Sequence, residues 1–284
     1  MKTFLLKTNT LKTFALLTIP LKPTFVIFLL IFLSSCFDSP NKLQQIKNSG
    51  ELKVLILNIP GIYYEGPFGA LGFDYELTKQ FANSLGVKLV LINKHNISSM
   101  LEGLKNHQAD MATGRIIKTH KRQKKYSFST PYQHLDQILV YRSGTTKLTT
   151  IQQLDKIALE VGTNSSQQEL LSSLKSSLLP NLNWHNNDTS SVEDLLQLVN
   201  EKMIDFTIAN SFEIKINQRF YPELRKGLIL AQDQPVSWAF TQLTEDRSLV
   251  DAANQFIYKY KKTHKLSILT ERYYGHFDKF NYVK

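Results

Sequence analysis

An arginine that follows a strand and faces a cleft can hold a small carboxylate through two parallel charged hydrogen bonds, and Arg122 is the residue best suited to that chemistry in this chain. It closes Thr119-His120-Lys121-Arg122, which lies between two other distinctive stretches, Gly72-Phe73-Asp74-Tyr75-Glu76-Leu77 and Phe128-Ser129-Thr130-Pro131-Tyr132. The chain therefore reads first as a binder. Asp74 and Glu76 invite a carboxylate-pair mechanism for glycoside cleavage. Residues at i and i+2 of a helix start face different directions, however, and acidic side chains there favour the positive end of the helix dipole. The seven histidines show no metal-ligand spacing, no Ser-His-Asp order stands out, and there is no glycine-rich phosphate loop, so neither metal nor cofactor is expected. The basic run Lys118 to Lys125 reads as a solvated turn around one functional arginine rather than a nucleic-acid patch.

The elements that must position Arg122 alternate between short β-rich runs and amphipathic helical ones, which predicts an α/β architecture. Leu52 to Leu57 reads as a strand, and Leu77, Phe81, Ala82 and Leu85 share one helical face that Gly86 terminates. A strand over Val87 to Ile92, a helix over Asn96 to Gln108 and a strand over Asp110 to Thr113 lead into the Arg122 turn. A second set follows Gly144: a short helix around Ile151 to Leu154, strands Ile157 to Val161 and Phe206 to Ala209, and helices Ser165 to Leu178 and Ser191 to Lys202. Strands near Gly227 to Leu230 and Val236 to Thr241 and helices over Ser248 to Lys262 and Leu266 to Tyr274 complete the pattern. Two βαβ sets with a returning tail predict two lobes joined by crossovers near Gln137 to Arg142 and Leu230 to Val236.

Residues 1–36 read as a secretory leader. Lys2, Lys7, Lys12 and Lys22 precede the uncharged run Thr24 to Leu33, which is too short for a span of roughly 20 residues. It ends Leu33-Ser34-Ser35-Cys36, similar to the lipobox of bacterial lipoproteins, so Cys36 is the expected lipidation site; an uncleaved anchor helix is the alternative. Cys36 is the only cysteine, and no disulfide is expected. Residues 37–50 are expected to be a tether, 51–139 with 231–284 the first lobe, and 140–230 the second. Without the four leader lysines the formal charge falls from +10 to +6, a weak bias toward anionic partners.

The three stretches named above together resemble the hallmarks of family 3 periplasmic solute-binding proteins, over about Leu52 to Tyr274. Further matches are Gln234-Pro235-Val236-Ser237-Trp238 and Tyr274-Gly275-His276 followed by Phe280-Asn281-Tyr282-Val283. They are similar to the amino-terminal module of membrane-bound lytic murein transglycosylase F enzymes, whose lysozyme-like catalytic domain is expected to be absent here. The resemblance implies a two-lobed periplasmic binding protein fold of type II with a ligand cleft between the lobes.

By the same resemblance Arg122 would take the ligand carboxylate, and Gly162-Thr163 would offer a hydroxyl and backbone amides at a helix start, or serve only in capping, which Ser165 could also do. Tyr64 would form an aromatic wall, with Tyr63 as its alternative. Asn210 stands where amino-acid binders carry an aspartate; a neutral amide lacks the Coulomb attraction that selects an ammonium. Gly114, Arg115 and Ile117 occupy positions that often bear serine, and Arg115 is expected to point to solvent, with a second positive charge in the cleft as the alternative. His276 is expected in a packed turn. The departures tilt the expected ligand toward anionic or non-zwitterionic solutes.

The implied function is a non-catalytic, lipid-anchored module on the periplasmic face of the envelope, the outer membrane favoured by Phe37, that closes on a small carboxylate-bearing ligand, an amino acid or a muropeptide. An amino-acid ABC importer component, with a permease as partner, is the alternative. A transglycosylase split from a separate lytic domain is a further one.

Overall fold

The structure, a computed structural model, describes residues 40–242 and 245–275. Residues 1–39, with the expected leader and Cys36, and His276 and the 280–283 motif lie outside the described residues.

The first sheet has the order β4-β1-β5-β12-β6. Strand β1 (Glu51–Leu57) runs parallel to β4 (Lys88–Lys94) and to β5 (Met111–Ala112), while β12 (Ala239–Thr241) is antiparallel to β5 and to β6 (Tyr126–Phe128). The run Val54 to Ile56 is fully buried because helices cover both faces, and this is why it reads as continuous rather than alternating. On one face Leu77 and Phe81 of α2 (Phe73–Leu85) pack with Trp238; on the other Met100 and Leu104 of α3 (Ile97–Lys105) pack with Leu55 and Ile56.

The second sheet has the order β11-β7-β10-β8-β9. Strands β7 (Gln133–Arg142) and β11 (Leu224–Val236) pair antiparallel and carry the chain out of the first lobe and back into it. Strand β10 (Phe206–Asn210) lies between β7 and β8 (Leu159–Gly162), with β9 (His185–Asn187) at the edge. Helices α5 (Ser166–Ser177) and α6 (Val192–Asn200) cover opposite faces through Leu171 and through Leu196 and Val199. This is the α/β two-lobed architecture expected from the sequence.

One segment differs from expectation. Residues 42–49, assigned to the tether, form helix α1 (Lys42–Ser49), capped by the Asn41 side chain, which accepts from Gln44 N at 2.9 Å, and by left-handed Gly50. It buries Ile46 and is pinned to α8 (Ser248–Lys262) where Leu43 N donates to Ser248 Oγ at 3.1 Å; Lys42 Nζ also pairs with Asp110 at 2.7 Å. Further elements were not anticipated: the hairpin β2 (Tyr64–Gly66) and β3 (Gly69–Leu71), the short strands β6 and β9, and helix α7 (Ser211–Asn217).

The motifs expected to mark the first lobe converge in its core. Asp74 Oδ1 accepts from Tyr132 Oη at 2.6 Å and from Thr113 Oγ1 at 3.1 Å. Gly72 is required at the helix entry, since with φ +137° a Cβ there would sit 2.2 Å from the Ile62 carbonyl oxygen. Phe212 of α7 crosses from the second lobe into the first lobe's core and meets Tyr274 of α9 (Lys265–Tyr274), ring centroids 4.0 Å apart.

Candidate functional site: the cleft between the lobes

Arg122 belongs to a single helical turn, α4 (His120–Gln123), whose N-cap is Thr119: the Thr119 hydroxyl accepts from Arg122 N at 3.2 Å. This turn directs the guanidinium inward, leaving the residue 4% exposed. Its Nη1 donates to the Ile117 carbonyl at 3.1 Å within the first lobe, and its Nη2 reaches the Asn164 carbonyl of the second at 3.4 Å. Glu169 of α5 closes the arrangement. Its Oε1 lies 3.4 Å from Arg122 Nε, and its other oxygen accepts from the Thr119 hydroxyl. Burial lowers the Arg122 pKa, against the opposing attraction of Glu169.

Beside this bridge is a cavity of about 60 Å³ lined by both lobes. At about 10–15 Å³ per water it holds only a few solvent molecules. Gly114, Arg115 and Arg122 line it from the first lobe, and Thr163, Glu193, Asn210 and Glu213 from the second. Gly114, Arg122, Thr163 and Asn210 are thus brought to one cavity from four separate elements.

Their polar atoms are partly committed within the protein. Thr163 Oγ1 donates to Asp188 Oδ1 at 2.5 Å and its N–H to the Asn187 carbonyl at 2.9 Å, while Ser165 is the N-cap of α5, accepting from Gln168 N at 3.0 Å. Asn210 caps α7: its Oδ1 accepts from Phe212 N and Glu213 N, both at 3.0 Å, and Glu213 Oε2 in turn accepts from Asn210 N at 2.7 Å. The side-chain oxygen and backbone N–H of Asn210 are thereby committed to the helix start. Tyr64 is not brought there. It lies exposed on β2, and the apolar wall on that side comes from Ile59 and Ile62. Tyr63, the alternative aromatic, is buried and donates its hydroxyl to Glu65.

Arg115 corrects the sequence reading. Of its two expected settings, solvent and cleft, the favoured one is wrong: it is 4% exposed and lines the cavity. Consecutive positive φ values at Gly114 (+129°) and Arg115 (+55°) turn the chain sharply after β5, and the guanidinium lodges over the rings of Phe212 and Tyr274, 5.7 and 5.8 Å from their centroids. Burial opposes its charge, but Tyr274, Asp74, Glu213 and Glu193 together outweigh that effect and raise its pKa.

Three glutamates of the cleft escaped the sequence reading. Glu213 was legible in principle, because Asn210-Ser211-Phe212-Glu213 is a capping-box pattern. Glu193 and Glu169 carried no local signal, since their roles depend on partners in other elements. Burial, reinforced by Glu193, pushes the Glu213 carboxyl up to about 7 against the pull of Arg115; burial likewise raises Glu193. Asp74 and Glu76 share no cavity: Asp74 is buried, while Glu76 pairs with Arg272 at 2.8 Å and accepts from the Tyr273 hydroxyl.

Known proteins frame this geometry. The chain is 33% identical over 256 residues to the membrane-bound lytic murein transglycosylase F of Pseudomonas fluorescens, a match covering 90% of this chain and 52% of that protein. The chain thus spans about half the length of the curated relatives it matches. Among solved structures, a mutant of ArgBP from T. maritima superposes with a TM-score of 0.71 at 22% identity, over 82% of this chain and 99% of that one. An amino acid ABC transporter substrate-binding protein from Streptococcus pneumoniae, bound to L-arginine, superposes with a TM-score of 0.67 at 25% identity, over 80% and 96%. Residues 58–276 match the bacterial extracellular solute-binding proteins, family 3, and the chain belongs to that family.

Proposed function

We propose that this chain is a lipid-anchored extracytoplasmic module, held at the membrane through Cys36 and without catalysis of its own, whose lobes close on a small carboxylate-bearing solute. The observation that carries this reading is Arg122, a buried guanidinium in the cleft that bonds to both lobes and already holds one carboxylate, that of Glu169. A planar guanidinium fork fits two carboxylate oxygens, so an incoming carboxylate can take the place of Glu169. Because the cavity admits only a few waters, the lobes part for entry and reclose around the guest, and closure is selected by contacts from both sides at once.

The relation to murein transglycosylases favours a peptidoglycan-derived guest, such as a muropeptide carrying a free carboxylate. A second reading, the binding component of an amino-acid importer, draws on the structural likeness to a transporter protein bound to L-arginine. A thermal-shift screen of amino acids, short peptides and muropeptides separates them, because a ligand that binds only the folded state raises the melting temperature with its occupancy. Stabilisation by muropeptides but not by free amino acids supports the first reading, and the reverse supports the importer. No shift from any carboxylate-bearing solute contradicts both.

A further inference from the structure

Arg122 also lines a second, larger hollow, a groove of about 680 Å³ that shares only Ser98 and Arg122 with the small cavity. Lys105 of α3, Lys121 of α4 and Lys125 line it from the first lobe, together with Leu101 and Tyr126, and Asn164 and Glu169 line it from the second. All three lysines are exposed, and among the described residues none has a carboxylate within 4.0 Å. Arg122 and Glu169 neutralise each other across the lobes. The charges left in the groove are three ammoniums against one carboxylate, that of Glu102.

A hollow of this size falls in the range of small-molecule sites, roughly 300–1,000 Å³. The surplus of positive charge sets what suits it. Lysine ammoniums are compact point charges without the planar fork that matches a carboxylate, so they serve a tetrahedral oxyanion well. A phosphate monoester carries about −1.5 to −2 at neutral pH, close to the surplus, whereas a carboxylate carries a single charge. Lys121 and Lys125 are four residues apart, one within α4 and one just past its helical C-cap, so they rise from one face; Lys124 between them does not line the groove.

We propose that Lys105, Lys121 and Lys125 form a site for a phosphate monoester in this groove, with Leu101 and Tyr126 against its organic part. The site goes beyond the carboxylate reading of the cleft and does not rest on it, since it uses neither the small cavity nor the displacement of Glu169. The basic run Lys118 to Lys125 thereby supplies two of the three ammoniums.

The test is a nitrogen-15 NMR titration of the full chain with phenyl phosphate and with phenyl sulfate, a monoanion of the same shape. The site predicts saturable amide shifts at residues 121–126 and 164 with the phosphate, and an affinity at least about fivefold lower for the sulfate. Lys121→Gln and Lys125→Gln each weaken phenyl phosphate by about threefold, and the triple variant with Lys105→Gln by at least about tenfold, the scale of exposed ion pairs acting together. Lys124→Gln, from the same basic run, leaves the affinity unchanged. All four side chains are exposed, so the variants keep the fold. Absence of saturable shifts at these amides, equal affinity for phosphate and sulfate, or a loss in Lys124→Gln as large as in Lys121→Gln overturns the site and leaves the carboxylate reading of the cleft standing. Co-sedimentation with phosphatidylcholine vesicles containing phosphatidic acid then sets the source of the phosphate. A smaller bound fraction for the triple variant than for the wild type assigns it to a lipid headgroup, and equal fractions assign it to a free solute.

Discussion

Arg122 on the first lobe and Glu169 on the second form a buried ion pair across the cleft, Nε to Oε1 at 3.4 Å, with side chains only 4% and 12% exposed. The glutamate thereby does to Arg122 what a guest's carboxylate would do. The pair both ties the lobes together and competes with any carboxylate that seeks the same guanidinium.

Removal of one partner leaves the other buried and uncompensated. Glu169→Ala is therefore expected to lower stability by about 3 kcal/mol, while the double variant Glu169→Ala with Arg122→Met recovers part of that loss. Denaturant melts of the four members of this cycle provide the check, and strict additivity would show that the two residues do not interact.

A second consequence is an affinity gain. In Glu169→Gln the carboxylate competitor is gone, so a carboxylate-bearing ligand found in the thermal screen should bind several-fold more tightly than to wild type. An unchanged or weaker dissociation constant would mean that Glu169 is not displaced on binding.

The pH dependence follows from Glu213. Burial and Glu193 raise its pKa from 4.5 to about 7, so between those values the folded protein holds more protons than the unfolded chain. Its favourable contribution is complete below pH 4.5 and is lost as the pH rises through 7. The groups facing it are Glu193, which shifts in the same direction, and Arg115, with Asp74 and Tyr274 beyond. Wild-type stability relative to Glu213→Gln, which keeps the cap, should fall by about 2 kcal/mol between pH 5 and pH 8 after allowance for solvent screening. Parallel pH curves for the two proteins would contradict this.

Phe212 ties the second lobe to the core of the first through Tyr274 and supports Arg115. Its replacement by alanine opens a cavity in that core, and a loss of about 3–5 kcal/mol is expected in denaturant melts, with a weaker cleft as the accompanying effect. A change below about 1 kcal/mol would show that the lobes are not coupled through this ring.

Much of the fold could be read from the chain because its signals are local. The strand over Leu52 to Leu57 is an apolar run interrupted only by Lys53, between Gly50 and a turn, and α6 begins at Ser191 with a capping pattern and keeps Leu195, Leu196 and Val199 on one face. The hairpin at 64–71 was missed because its strands are three residues each and largely exposed, so they carry no burial alternation. In the cleft, Arg122 was conspicuous through its motif. The burial of Arg115 was hidden because it depends on a left-handed turn at a non-glycine residue and on two rings contributed from positions 212 and 274. Glu169 and Glu193 were hidden for the same reason: their partners are set by tertiary folding, not by neighbours in sequence.

Calorimetric titration of the most stabilising carboxylate-bearing solute into wild type and Arg122→Ala tests the central claim most directly. The account predicts binding to wild type and a loss of at least about 100-fold in the variant, the scale for removing one side of a buried charge-assisted contact. Equal affinity of the two proteins for that solute would contradict it.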